Sequence, residues 1–212
     1  MKQRTAADLK SALDRYKDCI SRYHKTLDLM SPQGFSRLDE HLEDAAAYTQ
    51  AISDLTPTPT RVLDVGSGVG LPAVVVAVTF PDLPLQLVER RSRRATFLRI
   101  ALSETQATNA EVVEADVARL EGPPVDLVTA QAVGSLTALY EMTRHRHAEE
   151  VVILSRKGPN WPDEVQELAT ATGKTPVVVV SRPLQHHGTL VAVRIQGGAA
   201  CQSSASSTKK GA

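Results

Sequence analysis

Aromatic residues are scarce: Phe, Trp and Tyr make up 4% of the 212 residues. That scarcity excludes wide platforms for stacking single-stranded bases and leaves Ala, Val and Leu to fill the core. Cysteine is nearly absent. Cys19 and Cys201 stand near opposite ends of the chain, so they form neither a zinc constellation nor a disulfide framework, and a reducing compartment is implied. Neither sign of charge predominates, because 24 Lys and Arg balance 24 Asp and Glu. A strongly basic, promiscuous nucleic-acid binder is thereby excluded, although a local basic patch is not. No apolar run approaches the ~18 residues of a membrane-spanning helix. The first residues are polar and mixed in charge, unlike a secretory signal. These absences predict a soluble, cytoplasmic protein with neither membrane nor metal as a partner.

What is present falls into three parts. In residues 1–55, Leu9, Leu13, Tyr16, Ile20 and Tyr23 recur at helical spacing, and after the break at Ser31-Pro32-Gln33-Gly34 a second helix is predicted from about Leu38 to Leu55. This segment reads as a small N-terminal helical cap. The run Thr56-Pro57-Thr58-Pro59-Thr60 breaks any helix and opens a main domain over 56–196. There, strands are predicted at Val62–Val65, Leu85–Glu89, Glu111–Ala115, Val125–Ala130, Val151–Leu154, Val177–Ser181 and Thr189–Ile195. Most are separated by ten or more residues of helical character, the length a parallel crossover needs. Val177 to Val180 suit a strand buried on both faces, and the short link Arg182–Gly188 suits an antiparallel return. Leu71–Phe80 holds four valines and favours a strand by propensity, yet the first crossover needs a helix there. The tail 197–212 is Gly, Ala, Ser, Thr and Lys, a composition that predicts disorder. The fold expected is α/β: a Rossmann-like, seven-stranded, mostly parallel sheet with helices on both faces.

The chemical signal lies where the first strand ends, in Asp64-Val65-Gly66-Ser67-Gly68-Val69-Gly70. Glycines let the backbone approach a ligand closely because no Cβ intervenes. A dinucleotide fingerprint needs G-x-G-x-x-G, whose third glycine would fall on Leu71; the spacing here is G-x-G-x-G. Asp64, two residues before the first glycine, suits a cationic amino-acid-type ligand better than a pyrophosphate. Together these features favour S-adenosylmethionine over nicotinamide or flavin. Glu89 ends the second strand, from where an acid can bind a ribose diol. Asp116 follows the third strand and is placed either to receive an adenine amino group or to cap the next helical turn.

Val62-Leu63-Asp64-Val65-Gly66-Ser67-Gly68-Val69-Gly70-Leu71-Pro72 resembles the strand, turn and Gly-Leu-Pro element of the RsmG (GidB) family, class I methyltransferases acting on guanine N7 of bacterial small-subunit ribosomal RNA. Arg93-Arg94 with Phe97-Leu98-Arg99 is similar to that family's basic pair and Phe-Leu-Arg helix. Ser155-Arg156-Lys157-Gly158 resembles its Leu-Lys-Gly stretch. Leu27-Asp28-Leu29-Met30 and His41-Leu42-Glu43-Asp44 stand where it has Asn-Leu-Thr and His-x-x-Asp-Ser. The resemblance covers roughly residues 16 to 195. It implies S-adenosylmethionine as cofactor, bordered by Gly66, Leu71, Val117, Ala118 and Gln131 beside Asp64, Ser67, Gly68, Gly70, Glu89 and Asp116. It also implies an RNA-facing set of His41, Arg93, Arg94, Arg99 and Lys157, with ribosomal RNA or the small-subunit particle as partner. Three positions depart from the family: Asp28 replaces an Asn, and Asp116 and Gln131 each replace an Arg. Each exchange lowers positive charge where RNA is expected, and counterion release supplies much of RNA affinity.

Methylation of guanine N7 needs no general base, since N7 holds a free lone pair at neutral pH, so no catalytic acid or base is expected. The sequence has no Asn-Pro-Pro-Tyr-like element for exocyclic amines and no Cys inside the main domain for attack on a pyrimidine. An oxygen or amine acceptor on a small molecule would want a base, for which His41, His145, His147, His186 and His187 are the available residues. The run Arg90-Arg91-Ser92-Arg93-Arg94, with Arg99, forms a local basic patch, although positive charge at a helix N-terminus is mildly unfavourable. Two alternatives stay open: a small-molecule methyltransferase, motivated by Asp116 and Gln131, and a cofactor-binding relative without turnover.

Overall fold

A computed structural model describes Met1 and residues 3–196. The tail expected to be disordered, with Cys201, lies outside the described residues. The N-terminal segment forms three helices, α1 (Ala6–Tyr23), α2 (Pro32–Ser36) and α3 (Leu38–Asp54). Thr5 caps α1 by accepting the Asp8 N–H at 3.2 Å. Ser31 caps α2 by accepting the Gly34 N–H at 3.0 Å, with Pro32 in the first turn. Both caps satisfy amides that a helix start leaves unpaired. Among the described residues no helix is long and apolar enough to cross a membrane.

From Val62 strands and helices alternate: β1 (Val62–Val65), α4 (Ala73–Thr79), β2 (Leu85–Val88), α5 (Ser92–Thr105), β3 (Ala110–Val113) and β4 (Val125–Gln131). Then follow α6 (Leu136–Thr143), β5 (His147–Lys157), α7 (Trp161–Thr172), β6 (Val177–Pro183) and β7 (Thr189–Gln196). The sheet order is β3-β2-β1-β4-β5-β7-β6. Strands β1 to β5 are parallel, and β7 runs antiparallel to both β5 and β6. This is the Rossmann-like sheet expected, with chain order reversing between β1 and β4, the switch point beside which open sheets bind ligands.

The valine run takes the helical form that topology demands. Every residue of α4 is buried, which explains the absence of a polar face: a helix apolar all round is one enclosed on all sides. The layers enclosing it include the N-terminal helices. Ala12, Tyr16 and Ile20 of α1 and Ala45, Tyr48 and Ile52 of α3 belong to one apolar cluster with α4, α5 and the sheet residues Val62, Leu87 and Leu127. Helices α1 and α3 therefore belong to the main core. On the other face α6, α7 and Val117 pack on Leu63, Val128 and Ile153.

One strand departs from expectation. β6 is the sheet edge, paired only with β7, and Val177 and Val178 are 53% and 38% exposed. A run of β-branched residues specifies an extended backbone, but whether both faces are covered depends on strand order, which is a tertiary matter. The antiparallel return is as expected.

Candidate active site

The carboxyl ends of β1, β2, β4 and β5 open on a cavity of about 680 Å³. Its floor is the glycine turn after β1. Gly66, Gly68 and Gly70 have φ of 65°, 58° and 96°, a region that side chains with a Cβ enter only at a cost. At Gly66 a Cβ would stand 2.9 Å from Val133 Cγ2, and at Gly70 it would stand 2.6 Å from Val74 Cγ2. The turn is held at several points. Ser67 N–H donates to Val88 O at 3.1 Å, and Gly70 N–H donates to Ser67 O at 2.6 Å. The buried Tyr16 hydroxyl donates to Val69 O at 2.7 Å.

Glu89, just beyond β2, is buried rather than a solvated strand-end charge. It accepts the Gly68 N–H at 2.9 Å and the Arg91 N–H at 2.9 Å. The carboxylate thus fixes the turn and the start of α5, and its remaining lone pairs are the acceptors on that cavity wall. Asp116 lines the cavity and also caps the short helical turn Val117–Arg119, accepting the Ala118 N–H at 3.1 Å. Of the two roles weighed for Asp116, the capping one is present, and the side chain also stands at the cavity.

Asp64 is not on the cavity wall. It lies beneath the turn, 1% exposed, accepting the Thr129 hydroxyl at 2.5 Å. Burial pushes its carboxyl up to about 6, against hydrogen bonds from Thr129 and Ser67 that lower it. Gly70 and Ala118 also stand behind the lining, whereas Gly66, Ser67, Gly68, Leu71, Glu89, Asp116, Val117 and Gln131 face the cavity.

The basic residues divide. Arg90, Arg91 and Arg94 line the cavity beside the turn. Arg93 is exposed on α5, away from the lining, and exposed Arg99 pairs with Glu114 at 3.6 Å. Lys157 corrects the sequence reading. Its ammonium group is not on the rim: the residue is 6% exposed and donates to Gly134 O at 2.8 Å while pairing with Glu164 at 2.9 Å. A buried ammonium must be paired, and these partners leave it a clamp joining β5 to α7 and the loop before α6.

Three contributions come from the N-terminal layer: Leu29, Met30 and His41 line the cavity. Burial, with Arg156 and Arg37 nearby, pushes the His41 imidazole down, so it is neutral at pH 7. Asp28, next to this wall, adopts φ 52°, a conformation that Asp and Asn tolerate better than most residues. Sequence reasoning missed Tyr48 and left Arg156 without a role. The buried Tyr48 hydroxyl donates to Ala130 O at 3.0 Å and accepts the Arg156 N–H at 2.8 Å, bridging the tips of β4 and β5. A tyrosine on an apolar helix face carries no sequence signal beyond core.

Comparison with known proteins agrees with this geometry. The family model for GidB, rRNA small subunit methyltransferase G, matches residues 9–190. The ribosomal RNA small subunit methyltransferase G of an Arthrobacter species is 31% identical over 208 residues, covering 90% of this chain and 94% of its own. That of Acidothermus cellulolyticus is 34% identical over 170 residues, covering 78% and 74%. Among solved structures, M. jannaschii TYW2 in complex with AdoMet superposes with a TM-score of 0.55 at 14% identity, covering 72% of this chain and 74% of that one. The fold, the glycine turn at its switch point and these similarities converge: the chain belongs to the GidB family of small-subunit rRNA methyltransferases.

Proposed function

We propose that this protein transfers a methyl group from S-adenosylmethionine to N7 of a guanine in small-subunit ribosomal RNA, acting in the cytoplasm. The observation that carries the reading is the glycine turn set against Glu89 at the switch point, in a chain of this family. The cavity fits the cofactor: at Gly66 a Cβ would meet Val133, so the turn is a cradle that only glycine keeps open.

Gly66, Ser67 and Gly68 would lie along the amino-acid part, Glu89 would accept from the ribose diol, and Asp116 and Val117 would border the adenine. The cofactor supplies an electrophilic methyl on a sulfonium centre. Guanine N7 is already a nucleophile, so the chain contributes in-line positioning and exclusion of water, which can be worth ~7–11 kcal/mol. Neutral His41 adds no competing charge beside the acceptor. Leu29 and Met30 shield the acceptor side, and Arg90, Arg91 and Arg94 offer phosphate contacts at the mouth.

Incubation with labelled cofactor and either small-subunit particles or naked rRNA, followed by nucleoside digestion, should yield labelled 7-methylguanosine. Cofactor binding without incorporation into either substrate would overturn the reading.

A further inference from the structure

A cofactor whose ribose meets Glu89 and whose adenine meets Asp116 sends its amino-acid arm the other way along the sheet edge, across β1 toward β4 and β5. That arm ends in an α-carboxylate and an α-ammonium, so its far end needs a donor and an acceptor side by side. Arg90, Arg91 and Arg94 all follow β2, on the Glu89 side of the turn, whereas Arg156 ends β5 on the far side. Two strands, β1 and β4, separate Glu89 from Arg156, a span of roughly 14 Å at the usual strand spacing. Gln131 and Arg156 are register partners at the ends of β4 and β5, and both line the cavity.

Both side chains carry unused hydrogen-bonding capacity. Asp44, 3% exposed, stands 3.1 Å from Arg156 Nη1. A buried ion pair is weak support for stability, so its main effect is to fix the direction of the guanidinium. That guanidinium makes no other hydrogen bond among the described residues, which leaves a donor edge free. The Tyr48 hydroxyl pins the Arg156 backbone. Gln131 Oε1 is buried with no hydrogen-bond partner among the described residues, a cost that native side chains rarely carry without a ligand. Rotation about its broad terminal torsion presents that oxygen to the cavity.

We propose that Arg156, from β5, holds the α-carboxylate of the cofactor, while Gln131 Oε1 accepts from its α-ammonium. This inference rests on the S-adenosylmethionine reading above and is independent of which acceptor is methylated. A guanidinium fork matches a carboxylate in geometry as well as charge. Neighbouring strand ends lie about 4.8 Å apart, which suits two groups carried on one carbon. The choice of strand is particular to this chain. Gln131 stands where the family has an Arg, and Arg156 stands where its Leu-Lys-Gly stretch has the Leu. Across one pair of register partners the guanidinium has therefore passed from β4 to β5. A second Arg at 131 would set two cations side by side, whereas Gln131 supplies the acceptor that an ammonium needs.

Calorimetric titration with two ligands tests this: S-adenosylhomocysteine, which carries the amino-acid arm, and 5′-methylthioadenosine, which lacks it. The double variant Asp44→Asn with Arg156→Gln removes the guanidinium without stranding the buried carboxylate. Its affinity for S-adenosylhomocysteine should fall ~10–100-fold, the usual worth of a charge-assisted hydrogen bond. Its affinity for 5′-methylthioadenosine should stay within about twofold of wild type. Arg156→Lys alone, which keeps a cation, should lose less than the double variant. Adding Gln131→Arg to the double variant returns a guanidinium to the neighbouring strand end and should recover most of the loss. Undiminished S-adenosylhomocysteine affinity in the double variant, or an equal loss for both ligands, overturns the inference. So does a loss that Arg156→Lys shares in full and Gln131→Arg fails to recover, which marks a packing role. If wild type binds neither ligand, the cofactor reading fails and takes this inference with it. If it binds S-adenosylhomocysteine but forms no 7-methylguanosine, the acceptor reading alone falls.

Discussion

Asp64 and His147 are buried ionisable groups whose charged forms the fold disfavours, and they act on stability in opposite directions. Asp64 titrates at about 6 in the folded protein. Below pH ~4 its carboxyl is protonated in both states; between ~4 and ~6 only the unfolded chain ionises. Stability is therefore lost as pH rises through that window, by roughly 3 kcal/mol once both states are ionised. Asp64→Asn should remove this loss and be more stable than wild type at pH 8, measured by urea denaturation at both ends of the window. His147, packed against Tyr140 and bonded to Thr143, is pushed down to about 4 by burial. It contributes stability above the unfolded value near 6.5 that is lost as pH falls toward 4. His147→Gln should flatten the acid limb, read from melting temperatures between pH 4 and 7. The glycines differ in kind. Gly70→Ala drives a Cβ into Val74 and Leu98 and should destabilise by about 2–4 kcal/mol. Gly66→Ala, on the cavity floor, should chiefly abolish S-adenosylhomocysteine binding in calorimetry. The pattern Asp64–Gly70 is legible in the sequence because conformations with positive φ select glycine. The burial of Lys157 is not, since its partners Gly134 and Glu164 lie on segments that only folding brings together.

At the scale of elements, the tips of β4 and β5 depend on a hydroxyl from another layer. Tyr48→Phe leaves Ala130 O and Arg156 N–H without their partner, at a cost of about 1–3 kcal/mol for each buried group stranded. Denaturant unfolding should register that loss. Most elements are legible from periodicity, and α4 is an instructive case. Its valines favour a strand locally, but a parallel β1–β2 pair cannot close without a crossover, so topology overrides propensity. The edge position of β6 was not legible, because Val177 to Val180 specify extended backbone whichever neighbours they have.

For the whole molecule, the N-terminal layer is the decisive feature. Its helices share one apolar cluster with α4, α5 and the sheet, and they place His41, Leu29 and Met30 on the cavity wall. A chain shortened to residues 56–212 would expose α4, whose every residue is buried. Such a fragment should fail to fold, showing no cooperative melt and no S-adenosylhomocysteine binding. A cooperative melt from it would show that residues 1–55 are a dispensable appendage after all.

Taken alone, the sequence determines the α/β alternation, the glycine turn with its ligand class and, through the Gly-Leu-Pro element, the family. These depend on local rules: periodicity follows from backbone geometry, and glycine spacing follows from φ. Tertiary structure decided which charges face the cavity. It moved Asp64 beneath the turn and Lys157 into a clamp, and it set Arg156 against Asp44 and beside Gln131. Those relations join residues distant in the chain, and burial and pairing are properties of the assembled core that no local pattern encodes.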